Sequence, residues 1–198
     1  MESFLNIITN ACLKEDELDK NCKLVVKKLR KLNLTPIWNS ENNHQMMENV
    51  GDWEYYVIKN TQPSFVEFDS PFEICFSTYQ NITVMSTVIK YKTIYEDTPK
   101  DFFQNFRKNV YAILKIIGGT EAILLNSNPE HKFNFYLNLA HQNKSYDFIK
   151  KLMIDEFGLP KTTYSQLSKS PKERTREFFL DDFSDLKSKE LQAHLPFL

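Results

Sequence analysis

Apolar residues recur at helical spacing in three parts of the chain. The spacing predicts helices over residues 13–33, 99–117 and 145–157, each with one apolar stripe along its length. A capping residue, Thr98 or Ser145, begins the second and third segments, and glycines follow both. We expect the stripe of the 99–117 helix to be buried, and its inner residues are Val110, Ile113, Leu114 and Ile117.

Weaker patterns lie outside these three helices. Apolar residues between positions 4 and 11 also follow helical spacing, so a short helix is predicted there. Residues 170–173 read Ser-Pro-Lys-Glu, which is typical of a helix start with proline at the first helical position. From about residue 181 onward the mixed pattern indicates irregular structure.

Short runs of aromatic and β-branched residues follow the first predicted helix. They predict an antiparallel meander of three or four strands, with runs at 53–58, 65–68, 72–76 and 82–95. A continuous apolar run at 122–125 predicts a buried strand, and alternation over 132–140 predicts a half-exposed one. The sequence therefore predicts a single α+β domain over residues 1–198, with a mainly antiparallel sheet packed against about three main helices.

Composition and charge narrow the class of protein. With 25 basic and 26 acidic side chains in 198 residues, the net charge is −1, without the basic excess of a general nucleic-acid binder. A leader pattern and a run of 18 apolar residues are both missing, so we expect a cytoplasmic protein with no membrane contact. The cysteines Cys12, Cys22 and Cys75 form no CxxC pair, which fits neither a disulfide scaffold nor a zinc site.

The sequence contains no convincing catalytic or ligand-binding motif. The glycine pair at 118–119 follows a helix, whereas a phosphate loop precedes one. In a straight strand His131 and His141 would lie about 33 Å apart, too far for one metal. Glu67 and Asp69 share a strand face and could take part in acid–base catalysis. Alternating acids more often mark the solvent-exposed face of a sheet. We expect no catalytic residue, cofactor or metal. Enzymatic activity stays open, with a preference for a non-enzyme.

One segment stands apart by its charge. Residues 36–82, here called the acidic meander, carry seven acids and one lysine, a net charge of −6 in a chain whose other residues sum to +5. The acids are Glu41, Glu48, Asp52, Glu54, Glu67, Asp69 and Glu73. Trp53 and Tyr55, residue types that anchor protein interfaces, lie in the same segment. These nine residues are a candidate contact surface for a basic protein. The alternative is that the acids solvate an exposed sheet face while the aromatic residues fill the core.

In layout the chain is similar to small bacterial immunity proteins, which neutralise cognate toxins. The shared features are a helix, an acidic β-meander, a helix, strands and a helix, without a catalytic motif. The resemblance implies a non-catalytic inhibitor that occludes a toxin domain, which is basic because its substrate is nucleic acid. The seven acids would then complement the charge of the toxin, Trp53 and Tyr55 would anchor the interface, and the chain itself would not bind nucleic acid.

Two other function classes stay open. One is a small hydrolase whose site, built from Glu67, Asp69 and a histidine, assembles only in the fold. The other is a structural or scaffold subunit. A pocket with perturbed carboxylates would favour the hydrolase, and a large exposed apolar face would favour the scaffold. The sequence leaves open the identity of the partner and the oligomeric state.

Overall fold

The fold is built from seven strands and four helices in the residues that the structure describes. This structure is a computed structural model, and it describes residues 4–12, 27–28, 35–37, 66–69, 74–79, 81–90, 100–126, 132–160, 163 and 178–193.

All seven strands join one sheet. They are β1 Phe4–Thr9, β2 Thr35–Ile37, β3 Val66–Asp69, β4 Ile74–Thr78, β5 Thr83–Lys90, β6 Ala122–Asn126 and β7 Phe178–Asp181. Their order is β2-β3-β4-β5-β1-β6-β7, and every neighbouring pair is antiparallel. The mainly antiparallel sheet expected from the sequence is therefore confirmed.

The meander prediction is confirmed for the strands that the structure describes. β3, β4 and β5, which match three of the predicted runs, follow one another in the chain and are adjacent in the sheet, as a meander requires. β2, which the sequence analysis did not predict as a strand, pairs with β3. The registers place Phe68 opposite Ile74 and Phe76 opposite Met85. The additional strand predicted over 53–58 lies outside the described residues.

The prediction of a short helix before residue 13 is wrong, because Phe4–Thr9 forms β1. This strand lies in the middle of the sheet, between β5 and β6. Ile7 and Ile8 point to opposite faces, yet both are fully buried. A strand covered on both faces carries apolar residues on both, here Leu5, Ile7 and Ile8, so their spacing also satisfies a helical pattern.

Four helices accompany the sheet in the described ranges. They are α1 Lys100–Ile117, α2 Asn134–His141, α3 Tyr146–Phe157 and α4 Ser184–Ala193. α1 and α3 confirm two of the three predicted helices, whereas the 13–33 helix lies outside the described residues apart from helical positions 27 and 28. The Ser145 hydroxyl accepts a hydrogen bond from the Phe148 N–H at the start of α3. Gly118 and Gly158 have φ of 85° and 78°, so α1 and α3 both end at glycines with a positive φ, which side chains disfavour.

Two other predictions are wrong. The 132–140 segment is α2 instead of a strand, because Phe133, Tyr136, Leu137 and Ala140 share one buried helical face while Phe135 is exposed. The region from residue 181 was predicted to be irregular, but α4 forms a helix over Ser184–Ala193. The helix predicted from residue 170 lies outside the described residues.

Helices cover both faces of the sheet. One core joins α2 and α3 to the face of β1, β5, β6 and β7 that carries Ile8, Val84, Ile123, Leu125 and Phe178. Asp181 of β7 lies on the opposite face, where it contacts α1. The four expected stripe residues of α1 are buried there, which confirms the predicted stripe: Val110, Ile113, Leu114 and Ile117. The described residues thus form a single α+β domain.

Candidate functional site

The nine residues predicted from the sequence fall mainly outside the described part of the chain. Glu67 and Asp69 lie in β3. The other seven lie outside it: Glu41, Glu48, Asp52, Trp53, Glu54, Tyr55 and Glu73. That all nine form one surface stays a prediction.

The backbone of β3 gives Glu67 and Asp69 definite places in the sheet. Glu67 pairs with Ile37 of β2 and with Cys75 of β4, and Asp69 pairs with Thr35 of β2. The two acids are two positions apart in one strand, so these positions share a face of the sheet. Among the described strands, β3 is second from one side of the sheet and β2 lies beyond it.

A buried ion cluster in the described residues is formed by Arg107, Asp181 and Asp185. α1 supplies the arginine, the last residue of β7 supplies Asp181, and the first turn of α4 supplies Asp185. The side chains of Arg107 and Asp181 are 1% and 0% exposed, whereas that of Asp185 is 25% exposed. α1 therefore meets β7 and α4, which are neighbours in the chain, at one guanidinium, 74 and 78 residues before the two carboxylates.

The guanidinium of Arg107 makes a paired contact with each carboxylate. Its Nε and Nη2 donate to the two carboxylate oxygens of Asp181 at 2.6 and 2.7 Å. Its Nη1 and Nη2 donate to Asp185 at 2.7 and 2.6 Å. Two-point contacts between a guanidinium and a carboxylate are among the strongest and most directional hydrogen bonds in proteins.

Phe183 packs against the side of the ion cluster. Its N–H donates to Oδ1 of Asp181 at 2.9 Å, and its ring stacks on Tyr111 of α1 with centroids 5.3 Å apart. The Arg107 Cζ lies 5.4 Å from the centre of the same ring. Phe183 has φ of 53°, a left-handed conformation that is unfavourable for a bulky residue, so these contacts stabilise a strained position.

The charged groups of the cluster change one another's pKa values. Burial alone would lower the pKa of Arg107, but hydrogen bonds to Asp181 and Asp185 outweigh burial and raise it. Burial raises the pKa of Asp181, against the opposing effect of Arg107. The hydrogen bonds from Arg107 lower the pKa of the more exposed Asp185. Arg107 is one cation that faces two carboxylates. Desolvation has the largest effect on the pKa of Asp181, the more deeply buried of the two.

Sequence reasoning missed this cluster, although one sign of it was present. Arg107 occupies a position on the apolar stripe of α1, next to Phe106 and three residues before Val110. A charge on a buried stripe requires a partner of opposite charge. The partners lie 74 and 78 residues further along the chain, so the local pattern could not identify them. Because its groups bond to one another, the cluster is suited to holding the elements together.

A second polar contact joins the β4–β5 turn to the α2–α3 turn. The hydroxyl of Tyr79 lies 3.0 Å from Nδ1 of His141. The Asn81 N–H donates to Oδ1 of Asn143, and the Asn81 side-chain amide donates to the Asn143 carbonyl oxygen. Partial burial of its ring lowers the pKa of His141, which favours the neutral imidazole. His131, which was considered together with His141 as a possible metal-binding pair, lies outside the described residues.

A third polar group lies where β6 begins. Nζ of Lys150 on α3 is 2.5 Å from a carboxylate oxygen of Glu121. The hydroxyl of Tyr146 is buried near the carboxylate of Glu121. Burial and the negative charges of Glu121 and Asp147 raise the pKa of Tyr146, so this phenol stays neutral at physiological pH.

The described ranges contain His, Cys, Asp and Glu side chains, the residue types that hold metal ions. Within those ranges, no group of three His, Cys, Asp or Glu side chains is placed to hold a metal ion. None of the helices found there is both long and apolar enough to cross a membrane. No protein-family model, curated protein or solved structure matches this chain.

Proposed function

We propose that this protein is a non-catalytic inhibitor that binds a basic protein partner through its acidic meander. In the form that the sequence resemblance implies, it is an immunity protein that neutralises a nucleic-acid-targeting bacterial toxin by occlusion. The observation that carries the proposal is the charge segregation, with −6 in residues 36–82 and +5 in all the others.

The arrangement of the sheet supports a common location for part of this charge. β3 and β4 lie wholly within the acidic meander, β2 overlaps its start, and the three are consecutive strands on one side of the sheet. The described strands of the acidic meander are thus contiguous in the sheet.

Charge and aromatic residues would have different roles in the complex. Each exposed ion pair adds only about 0–1 kcal/mol at equilibrium. A collective negative field instead accelerates the encounter with a basic partner, and salt screens that field over about 8 Å at physiological ionic strength. Affinity would come mainly from buried aromatic anchors, with Trp53 the first choice.

The test is binding kinetics with the immobilised product of a toxin gene that neighbours this one, at low and high salt. We expect the Glu67→Lys, Asp69→Lys double variant to slow association more than it speeds dissociation. Adding Glu54→Lys should enlarge the effect, whereas Trp53→Ala should mainly speed dissociation.

The matched control is the double variant Asp147→Lys, Asp155→Lys, which makes the same charge change at exposed positions of α3. It should change association much less, provided that each variant keeps the wild-type melting temperature. A salt-independent association rate, or an equal effect of both double variants, would contradict the assignment. Hydrolysis of an ester, phosphodiester or glycoside that Glu67→Gln abolishes would refute a non-catalytic role.

A further inference from the structure

α4 is attached to the rest of the domain by an unusual set of contacts. Nη1 and Nη2 of Arg107 donate to Asp185 in the first turn of α4. Lys187 of α4 donates to the carbonyl oxygen of Thr120 at 3.1 Å. Among positions 184–188, whose side chains are described, Leu186 is the buried apolar one. By comparison, α3 buries Tyr146, Ile149 and Met153. Over positions 184–188, polar contacts therefore carry a larger share of the attachment than they do in α3.

The residue before α4 is suited to act as a hinge. Phe183 holds a φ of 53°, and its carbonyl oxygen accepts the N–H groups of Leu186 and Lys187, which open the helix. A left-handed phenylalanine regains a favourable backbone conformation once its surroundings release it. The ring is kept in place by Tyr111 and Arg107, both on α1.

The ion cluster is divided unequally across this hinge. Asp181 precedes the hinge in β7, where it is fully buried and pairs with Ala122 of β6. Asp185 follows the hinge and is 25% exposed. If α4 leaves, Arg107 keeps both of its hydrogen bonds to Asp181, so the buried guanidinium is not left without a counter-charge. The cluster thus tolerates loss of one carboxylate, but only the one on α4.

We propose that α4 is a detachable strap that opens at Phe183 while the sheet and α1 to α3 stay folded, and that the contact between Arg107 and Asp185 is its lock. Opening breaks the two bonds to Asp185 and the bond from Lys187, and it uncovers the Arg107 and Tyr111 side of α1. The device is a local opening equilibrium set by one charged contact.

Hydrogen exchange of the full-length protein, followed by mass spectrometry, tests the strap. In the wild type we expect the amides of Leu186 and Lys187 to exchange much faster than those in the middle of α3. Asp185→Asn removes the charge but keeps the shape of the side chain. It should accelerate exchange in α4 by about tenfold, which corresponds to about 1.4 kcal/mol, and leave α3 and β1 unchanged.

The matched control is Lys150→Gln, which breaks the half-exposed ion pair with Glu121 on the other face of the sheet. It should leave exchange in α4 at the wild-type rate. The proposal is overturned if wild-type α4 and α3 exchange at the same rate, or if Asp185→Asn leaves α4 unchanged. It is equally overturned if Asp185→Asn accelerates all three elements together or prevents folding, because the lock would then be part of the global fold.

Discussion

Arg107→Met is the substitution whose effect the structure defines most sharply. Methionine keeps most of the side-chain volume in α1 but removes the four hydrogen bonds to Asp181 and Asp185. Asp185 is partly exposed and can be hydrated, whereas Asp181 is left as a fully buried carboxylate with the N–H of Phe183 as its remaining described donor. Breaking a buried ion pair from one side costs about 3–5 kcal/mol, a large fraction of the stability of a typical domain.

Urea unfolding at pH 7 measures this loss, and a second substitution identifies its cause. Adding Asp181→Asn to Arg107→Met removes the uncompensated charge, so the double variant should recover about 1–3 kcal/mol relative to Arg107→Met alone. Recovery would assign the cost to the buried charge and not to packing of the methionine side chain.

The pH dependence provides an independent check. Without Arg107, burial raises the pKa of Asp181 further above its unfolded value. A carboxylate whose pKa is raised in the folded state loses stability as pH rises through that pKa, so Arg107→Met should become more stable as pH falls from 7 toward about 4. A loss below about 1 kcal/mol at pH 7, or a loss independent of both pH and Asp181→Asn, would refute the reasoning.

Two further predictions concern other parts of the fold. Ile113→Ala, at a fully buried position on α1, should cost about 2–5 kcal/mol in urea unfolding, and a loss below about 0.5 kcal/mol would mean that this face of α1 does not pack in the core. Partial burial lowers the pKa of His141, so an NMR titration should place it below the ordinary 6.5, and the contribution of this residue to stability should fall as pH drops below that value. A titration at or above 6.5 would contradict the burial of the ring.

The elements that the sequence predicted well are those defined by local signals. α1 and α3 each combine an apolar stripe with a glycine end, and α3 adds the Ser145 cap. These features act within a few residues of one another, so they can be recognised in the sequence without knowledge of the fold. The strands β3, β4 and β5 are similarly marked by β-branched and aromatic runs between turns.

The elements that the sequence misjudged depend on distant partners. β1 is a strand because β5 and β6 enclose it, and nothing between positions 4 and 9 specifies that enclosure. α2 alternates like a strand over 133–139, yet its burial follows a helix once α3 packs beside it. The ion cluster shows the same limit for a site, because Arg107 meets carboxylates 74 and 78 residues away.

The central position of β1 has a consequence for how the chain folds as it is synthesised. Its neighbours in the sheet come much later: Thr9 bonds to Thr83, 74 residues on, and Asn10 to Thr120, 110 residues on. At a synthesis rate of about 5–20 residues per second, β1 waits about 4–15 s for its first neighbour and about 6–22 s for its second. During that interval an apolar strand with two unpaired edges is available to chaperones and to other nascent chains. Strand β1, first to emerge among the seven, is thus fixed in place only after β6 has left the ribosome.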